Sequence, residues 1–213
     1  MVDPEGVYKL SEPGERLHQG EVLAPVIERQ VGLDGEGEQV LEFEHKFVVV
    51  LTQDCDLEQD FRARAEVIPD GPPAEREAAQ IKRENGVLHH VLLAVATTAN
   101  VVKGRVKTDR NMEKVLQNKD ERYQYLAGSP VGGAFFGREF GPLVLDFKRV
   151  FSYPLDQLRR EMDACRTRRL AYLTTPYAEQ LCVRFGYFCQ RIALPQDHAR
   201  ITRVQQALPG PGG

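Results

Sequence analysis

The stretch Phe47-Val-Val-Val-Leu-Thr-Gln-Asp-Cys-Asp-Leu-Glu-Gln-Asp60 joins an apolar run to a cluster of acids around one cysteine. The β-branched part predicts a strand that is buried on both faces. Polar groups at the end of such a strand are held at the surface by a rigid scaffold, where binding or catalysis is common. The same residues could instead end the strand and begin a short helix, so two interpretations of this segment stay open.

The composition is that of a globular protein with one elaborated domain. The chain has 213 residues, of which 42% are hydrophobic and 28% charged. No window approaches the roughly 18 apolar residues that a membrane span needs, so no membrane contact is expected. The acidic N-terminus lacks a signal-peptide pattern, which predicts a cytoplasmic location. The four cysteines show no zinc-ribbon spacing, and we expect free thiols with neither a metal nor a cofactor.

The charge is distributed unevenly along the chain. From Lys148 to the end there are 11 lysines and arginines against 5 acids, a net charge of +6, and the total of −3 leaves −9 for the preceding residues. A basic C-terminal face could meet phosphate or an acidic partner. It could equally be a solvated helix face.

Local patterns predict the following order of elements. Residues 1–18 form an irregular lead, and 195–213 a tail. Between them the pattern predicts strands at 21–27, 41–53, 87–98, 123–126, 143–153 and 168–173, and helices at 74–84, 111–119, 154–162 and 175–194. For 168–173 a continuation of the preceding helix is the alternative. The glycine-rich acidic segment 32–38 is expected to be a mobile connection.

This order of segments resembles the PemK/MazF-like toxin superfamily over residues 19–194. Gln19-Gly-Glu-Val-Leu is similar to the family's opening strand, and Phe47 to Thr52 is similar to its Pro-Ala-Val-Val-Leu strand. Val95-Ala-Thr-Thr98 is similar to the strand that ends in a catalytic hydroxyl. Leu143-Val-Leu-Asp-Phe-Lys-Arg-Val-Phe resembles the later strand with an Asp-X-X-Arg pattern.

The resemblance implies an α+β, mainly β fold, an SH3-like β-barrel with inserted short helices and a C-terminal amphipathic helix. It implies a toxin or phage-defence component, with metal-independent endoribonuclease activity on RNA as one form. The alternative is a non-catalytic barrel module that binds a protein partner or nucleic acid in such a system. An antitoxin or other protein, RNA, and a second copy in a homodimer are the partners it leaves open.

Metal-independent RNA cleavage needs a base, an acid and cations for the phosphorane charge. Four residues are the catalytic candidates: Thr97, Thr98, Lys46 and Asp54. The family's ribonucleases carry an Arg-Pro in the first long loop, where this chain has Glu44-His-Lys-Phe47. Lys46 supplies charge there but not a planar fork for phosphate. Thr97 and Thr98 could also be plain strand residues.

The binding candidates are Arg29, Cys55, Asp56 and Arg149. In an extended strand Asp54 and Asp56 would lie about 7 Å apart on one face, which suits a shared cation or an arginine. Cys55 as a nucleophile would need a base such as His89 or His90, and the flanking carboxylates disfavour a thiolate. Alternatively, an aspartate caps a turn of helix with Cys55 packed inside.

Overall fold

The computed structural model describes residues 4–12, 14–34, 37–128 and 140–190. A curled, antiparallel, half-barrel sheet of seven strands dominates them. In spatial order its strands are β1 (Tyr8–Leu10), β9 (Arg168–Leu173), β2 (Val22–Ala24), β5 (Phe47–Val50), β6 (His90–Thr98), β8 (Leu143–Pro154) and β7 (Tyr123–Leu126). A second sheet pairs β3 (Val26–Asp34) with β4 (Gly37–His45). The expected α+β, mainly β class is confirmed.

Helices occupy the connections between strands. They are α1 (Pro4–Val7), α2 (Asp54–Ala65), α3 (Pro73–Gly86), α4 (Ala99–Lys103), α5 (Asp109–Leu116), α6 (Leu155–Asp163) and α7 (Tyr177–Gln190). Helix α3 begins with a proline, whose missing N–H costs nothing in the first turn, and ends at a buried glycine. None of the helices in the described part of the chain is long and apolar enough to cross a membrane.

The sheet has an apolar core on each face. On one face Val49, Ala94 and Leu145 pack with residues of α7, including Leu181. On the other face Val48, Val50 and Leu93 pack against α2 and α6, with Leu57 and Leu158 buried. Alternate residues of β5 and β6 therefore enter opposite cores, which explains why both strands consist almost wholly of apolar residues.

Strand β8 is irregular where it crosses β6. The pairing changes from Ala94↔Val150 to Ala96↔Leu145, so the four residues 146–149 lie opposite Val95 alone. Extra residues on one strand bend it and increase its twist. The Asp-X-X-Arg segment that carries Asp146 and Arg149 is thus the bend of β8.

The predicted mobile connection at 32–38 is wrong for the described residues. Strands β3 and β4 pair from Val26↔His45 to Asp34↔Gly37 and form a long hairpin, which we call the hairpin arm. The glycines and acids hid the alternation of Ile27, Arg29 and Val31 with polar neighbours. The predicted strand at 41–53 is likewise divided into β4 and β5, and the residues from Asp54 onward are helical.

The first 18 residues are not irregular throughout. Strand β1 pairs with β9 through Tyr8↔Leu173 and Leu10↔Ala171, and it extends the main sheet. Three residues give too short a pattern to be recognised in the sequence. The predicted tail at 195–213 and the end of the last helix lie outside the described residues, whereas the predicted strands at 123–126 and 168–173 are confirmed.

Candidate functional site

The acidic cluster after β5 is the first turn and body of α2. The extended arrangement of Asp54 and Asp56 on one face is therefore wrong, because both lie in the first helical turn. The N-cap residue is Gln53 and its side chain makes no capping hydrogen bond. Acids in a first turn complement the helix dipole, which accounts for their position. Cys55 is exposed rather than packed inside, and Asp56 is exposed as well.

Asp54 is held by the segment that precedes β2. The Arg16 guanidinium donates to both carboxylate oxygens, Nη1 to Oδ1 at 2.8 Å and Nη2 to Oδ2 at 2.5 Å. The backbone N–H of Gln19 donates to Oδ1 at 3.2 Å. Partial burial raises the pKa of Asp54, but the hydrogen bonds from Arg16 and Gln19 and the charge of Arg16 outweigh burial and hold the pKa below its usual value. Asp54 is thus a carboxylate already matched by a cation.

His18 lies beside this pair. Its ring stacks on that of Tyr172, with 3.9 Å between centroids and 9° between planes, and Nδ1 is 3.7 Å from Oδ1 of Asp54. Burial first, and then the charge of Arg16, lowers the pKa of His18 below its ordinary value. His18 is therefore a neutral imidazole at neutral pH, next to an open cavity of about 410 Å³ that it lines with Arg16 and Tyr172.

Two buried acids anchor arginines nearby. Glu21 is fully buried and accepts from Nε and Nη2 of Arg169, at 2.6 and 3.0 Å, and from the backbone N–H of His18. Asp60 is 1% exposed and accepts from Nε of Arg64 at 2.7 Å and Nη2 of Arg159 at 2.6 Å. Removing one partner of such a buried pair leaves an uncompensated charge, so these pairs fix the positions of the arginines.

The remaining predicted site residues lie at the other end of the sheet. Antiparallel pairing sets Phe47 opposite Ala96, so Lys46 and Thr97 adjoin, whereas Asp54 follows the far end of β5. Lys46 is exposed with its ammonium 5.6 Å from the Phe47 ring, Thr97 is half-buried and Thr98 is exposed. The structure therefore brings Lys46 close to Thr97 and Thr98 but leaves Asp54 apart from them.

Arg29 and Arg149 border the hairpin arm. Arg29 donates to Glu42 across the arm at 2.8 Å. Arg149 lines an open cleft of about 250 Å³ together with Phe43, His45 and Phe151. In that cleft Nε2 of His45 is 2.7 Å from Oε2 of Glu28. Residues 26–45 carry six acids against one arginine, and Glu28 is the acid of this segment that lines the cleft with Arg149.

Sequence reasoning missed the partners of the acids. Arg16, His18 and Glu21 lie in or beside the lead that was predicted to be irregular, and Arg169 and Arg159 were counted only as parts of a basic third. A buried position for Glu21 could have been inferred from its place at the start of a short apolar strand. No group of three or more His, Cys, Asp or Glu within the described ranges could hold a metal ion.

The comparisons with known proteins add no assignment. No family model, no curated protein and no solved structure matches the chain significantly. The functional proposals therefore depend on the geometry above and on the resemblance of the segment order.

Proposed function

We propose that this chain is a non-catalytic binding module, cytoplasmic and of the PemK/MazF-like, SH3-like barrel type, that binds a protein partner in a toxin–antitoxin or phage-defence system. The class of system is supported by the order of segments alone. The absence of catalysis is supported by the separation of Asp54 from Lys46 and Thr97, which leaves these three residues unable to act on one phosphodiester. Asp54 is also engaged by Arg16, so it is not free to accept a proton from a substrate hydroxyl.

The hairpin arm is the proposed binding element. On one face Val31 and Val40 are paired across the strands and are 69% and 65% exposed. On the other face Leu41 and Phe43 are each 43% exposed. Apolar side chains grouped on an exposed surface mark a contact with a partner more often than scattered ones do. The proposal rests on one observation: the arm combines exposed apolar side chains on both faces with a strong negative charge.

The charge of the arm indicates the chemistry of the partner. Six acids and one arginine give residues 26–45 a net charge of −5. Such a surface repels RNA phosphates and attracts a protein that presents basic and apolar side chains. The base of the arm is fixed to the seven-stranded sheet, because Tyr153 of β8 donates its hydroxyl to the carbonyl of Ile27 at 3.1 Å. A fixed base presents the two strands without a large ordering cost on binding.

The catalytic alternative is tested with mixed RNA in the presence of a chelator. Wild type is compared with Thr97→Ala and Lys46→Ala, and we expect no cleavage that depends on Thr97 or Lys46. Cleavage by the wild type that either substitution abolishes would overturn the non-catalytic assignment and support the ribonuclease hypothesis.

Partner binding is tested by co-purification from the native host. The arm variant Val31→Ser/Val40→Ser should lose the co-purified protein, and the control Val67→Ser/Ile81→Ser, with residues 85% and 52% exposed that lie outside the arm, should retain it. The complex should weaken between about 0.05 and 0.5 M salt, because salt screens the attraction between surface charges. Equal capture by the arm variant and the control would reject the arm as the binding element.

A further inference from the structure

A cleft of about 330 Å³ lies between the lead, α2, α6 and β9. Its apolar surface comes from Leu17, Leu155 and Met162, with Phe61 beside them. Ligand pockets are roughly 300–1,000 Å³, so this cleft suits a ligand of amino-acid size. It shares no residue with the hairpin arm, and we call it the guanidinium cleft after the three arginines, Arg16, Arg159 and Arg169, that line it.

The three arginines differ in their free donors. Arg169 uses Nε and Nη2 on Glu21 and donates from Nη1 and Nη2 to the carbonyls of Glu15 and Arg16. Arg16 donates from both terminal nitrogens to Asp54. Arg159 donates only from Nη2, to Asp60, and its buried Nε has no hydrogen-bond partner among the described residues.

The Nε atom has no accessible surface and cannot be reached from the cleft, but the Arg159 side chain is 33% exposed and no described residue accepts from its Nη1, so Nη1 is the donor that a ligand can meet. Arg159 carries a positive charge and lies on α6 next to the apolar wall formed by Leu155 and Met162. The ligand therefore needs an acceptor oxygen at one end and an apolar body at the other. A carboxylate accepts a charge-assisted hydrogen bond from such a guanidinium nitrogen.

The charge of the cleft argues against a phosphate dianion. Each arginine is already matched by a carboxylate, Arg16 by Asp54, Arg169 by Glu21 and Arg159 by Asp60. Glu15 and Asp163 line the same cleft and add two further negative charges. A second charge on the ligand would meet these carboxylates at short range, so the ligand should carry one negative charge, on the oxygen that accepts from Nη1 of Arg159.

We propose that the guanidinium cleft binds a monocarboxylate with an apolar side chain, in the form of a free α-amino acid or of the C-terminal residue of a polypeptide. The carboxylate accepts from Arg159, and the side chain packs on Leu155, Met162 and Phe61. Both sources present the same group, and they differ in the nitrogen, which is an ammonium in the free amino acid and an amide in the chain end.

Calorimetric titration of the full chain tests the proposal with four probes: phenylalanine, N-acetyl-phenylalanine, phenylalanine amide and inorganic phosphate. Binding of either carboxylate, with the amide and phosphate at least about tenfold weaker, supports the site. Preference for phenylalanine identifies the free amino acid, and preference for its acetyl derivative identifies a chain end. Equal binding of the amide or of phosphate, or no binding of either carboxylate, overturns the proposal.

Variants link the binding to the cleft. Arg159→Gln should weaken carboxylate binding by about tenfold or more, since it removes the charge-assisted donor. Arg159 also holds Asp60, so Met162→Trp provides a second variant that fills the cleft and leaves that pair intact. The control is Arg160→Gln, which removes an equal charge from the exposed side of α6. Carboxylate affinity unchanged in both Arg159→Gln and Met162→Trp would contradict the assignment.

Discussion

Replacing Asp60 by alanine tests the strongest structural claim made for the acidic segment. Asp60 is 1% exposed on α2 and accepts three hydrogen bonds, from Arg64, from Arg159 and from the backbone N–H of Leu88 at 2.9 Å. These bonds join α2 to α6 and to the start of β6. Asp60→Ala would leave Arg159 without its carboxylate and Arg64 with Asp156 alone, which Nη1 of Arg64 contacts at 2.7 Å.

The expected loss follows from the exposure of the partners. Removing one member of a buried ion pair costs about 3–5 kcal/mol. The side chains of Arg64 and Arg159 are 24% and 33% exposed, so water recovers part of their solvation and the lower end applies. A loss of about 3 kcal/mol corresponds to a fall in Tm of about 6–12 °C for a chain of this size.

Urea and thermal unfolding of the purified full chain measure this loss. Glu58→Ala is the matched control on the same helix, because Glu58 pairs with Arg62 four residues later on an exposed surface. Such a pair contributes about 0.2–0.5 kcal/mol. If Asp60→Ala cost no more than Glu58→Ala, Asp60 would not be the joint between α2 and α6, and the reasoning about its buried pairs would fail.

Three further outcomes follow from the same set of contacts. Glu21→Gln should lower the free energy of unfolding by about 3 kcal/mol, measured in urea, because the Arg169 guanidinium loses its buried counter-charge. Asp54→Asn should destabilise the chain at neutral pH but not well below pH 3.8. Because the pKa of Asp54 is lower in the folded chain than in the unfolded chain, its contribution to stability is complete above pH 3.8 and is lost as the pH falls through the folded-state pKa. Unfolding of wild type and variant across this pH range measures the difference. The pKa of His18 is lower in the folded chain, so as the pH falls the unfolded chain binds a proton first and wild-type stability should fall below about pH 6.5. His18→Phe should reduce the change in unfolding free energy between pH 7 and 5.

The sequence was sufficient for the strands whose pattern is long and apolar. Strand β6 is recognisable because nine residues with few polar interruptions cannot remain exposed, and β8 is recognisable from its apolar start and its alternation from Leu145 on. The helix at α3 is recognisable from its formers and its terminal glycine. The hairpin arm was missed for the opposite reason. Its alternation is diluted by glycine and glutamate, and its pairing comes from the strand opposite rather than from local preference.

The site was harder to predict because its partners are distant in sequence. Asp54 meets Arg16 across 38 residues, Asp60 meets Arg159 across 99 and Glu21 meets Arg169 across 148. Local patterns give the identity of each acid but not which cation the fold brings to it. The sequence left strand and helix open at Asp54. In the helix, Asp54 reaches Arg16 of the lead and Asp60 reaches Arg159 of α6.

The acids that follow β5 therefore have an indirect role in any chemistry at the guanidinium cleft. Asp54 positions Arg16 from the lead, and Asp60 positions Arg159 on α6, so one helix positions two of the arginines that line the same cleft. Glu21 does the same for Arg169 from the strand beside it. A ligand bound there would contact Arg159 while Asp60 sets the orientation of that guanidinium, so loss of an acid should first appear as loss of stability and loss of Arg159 as loss of affinity.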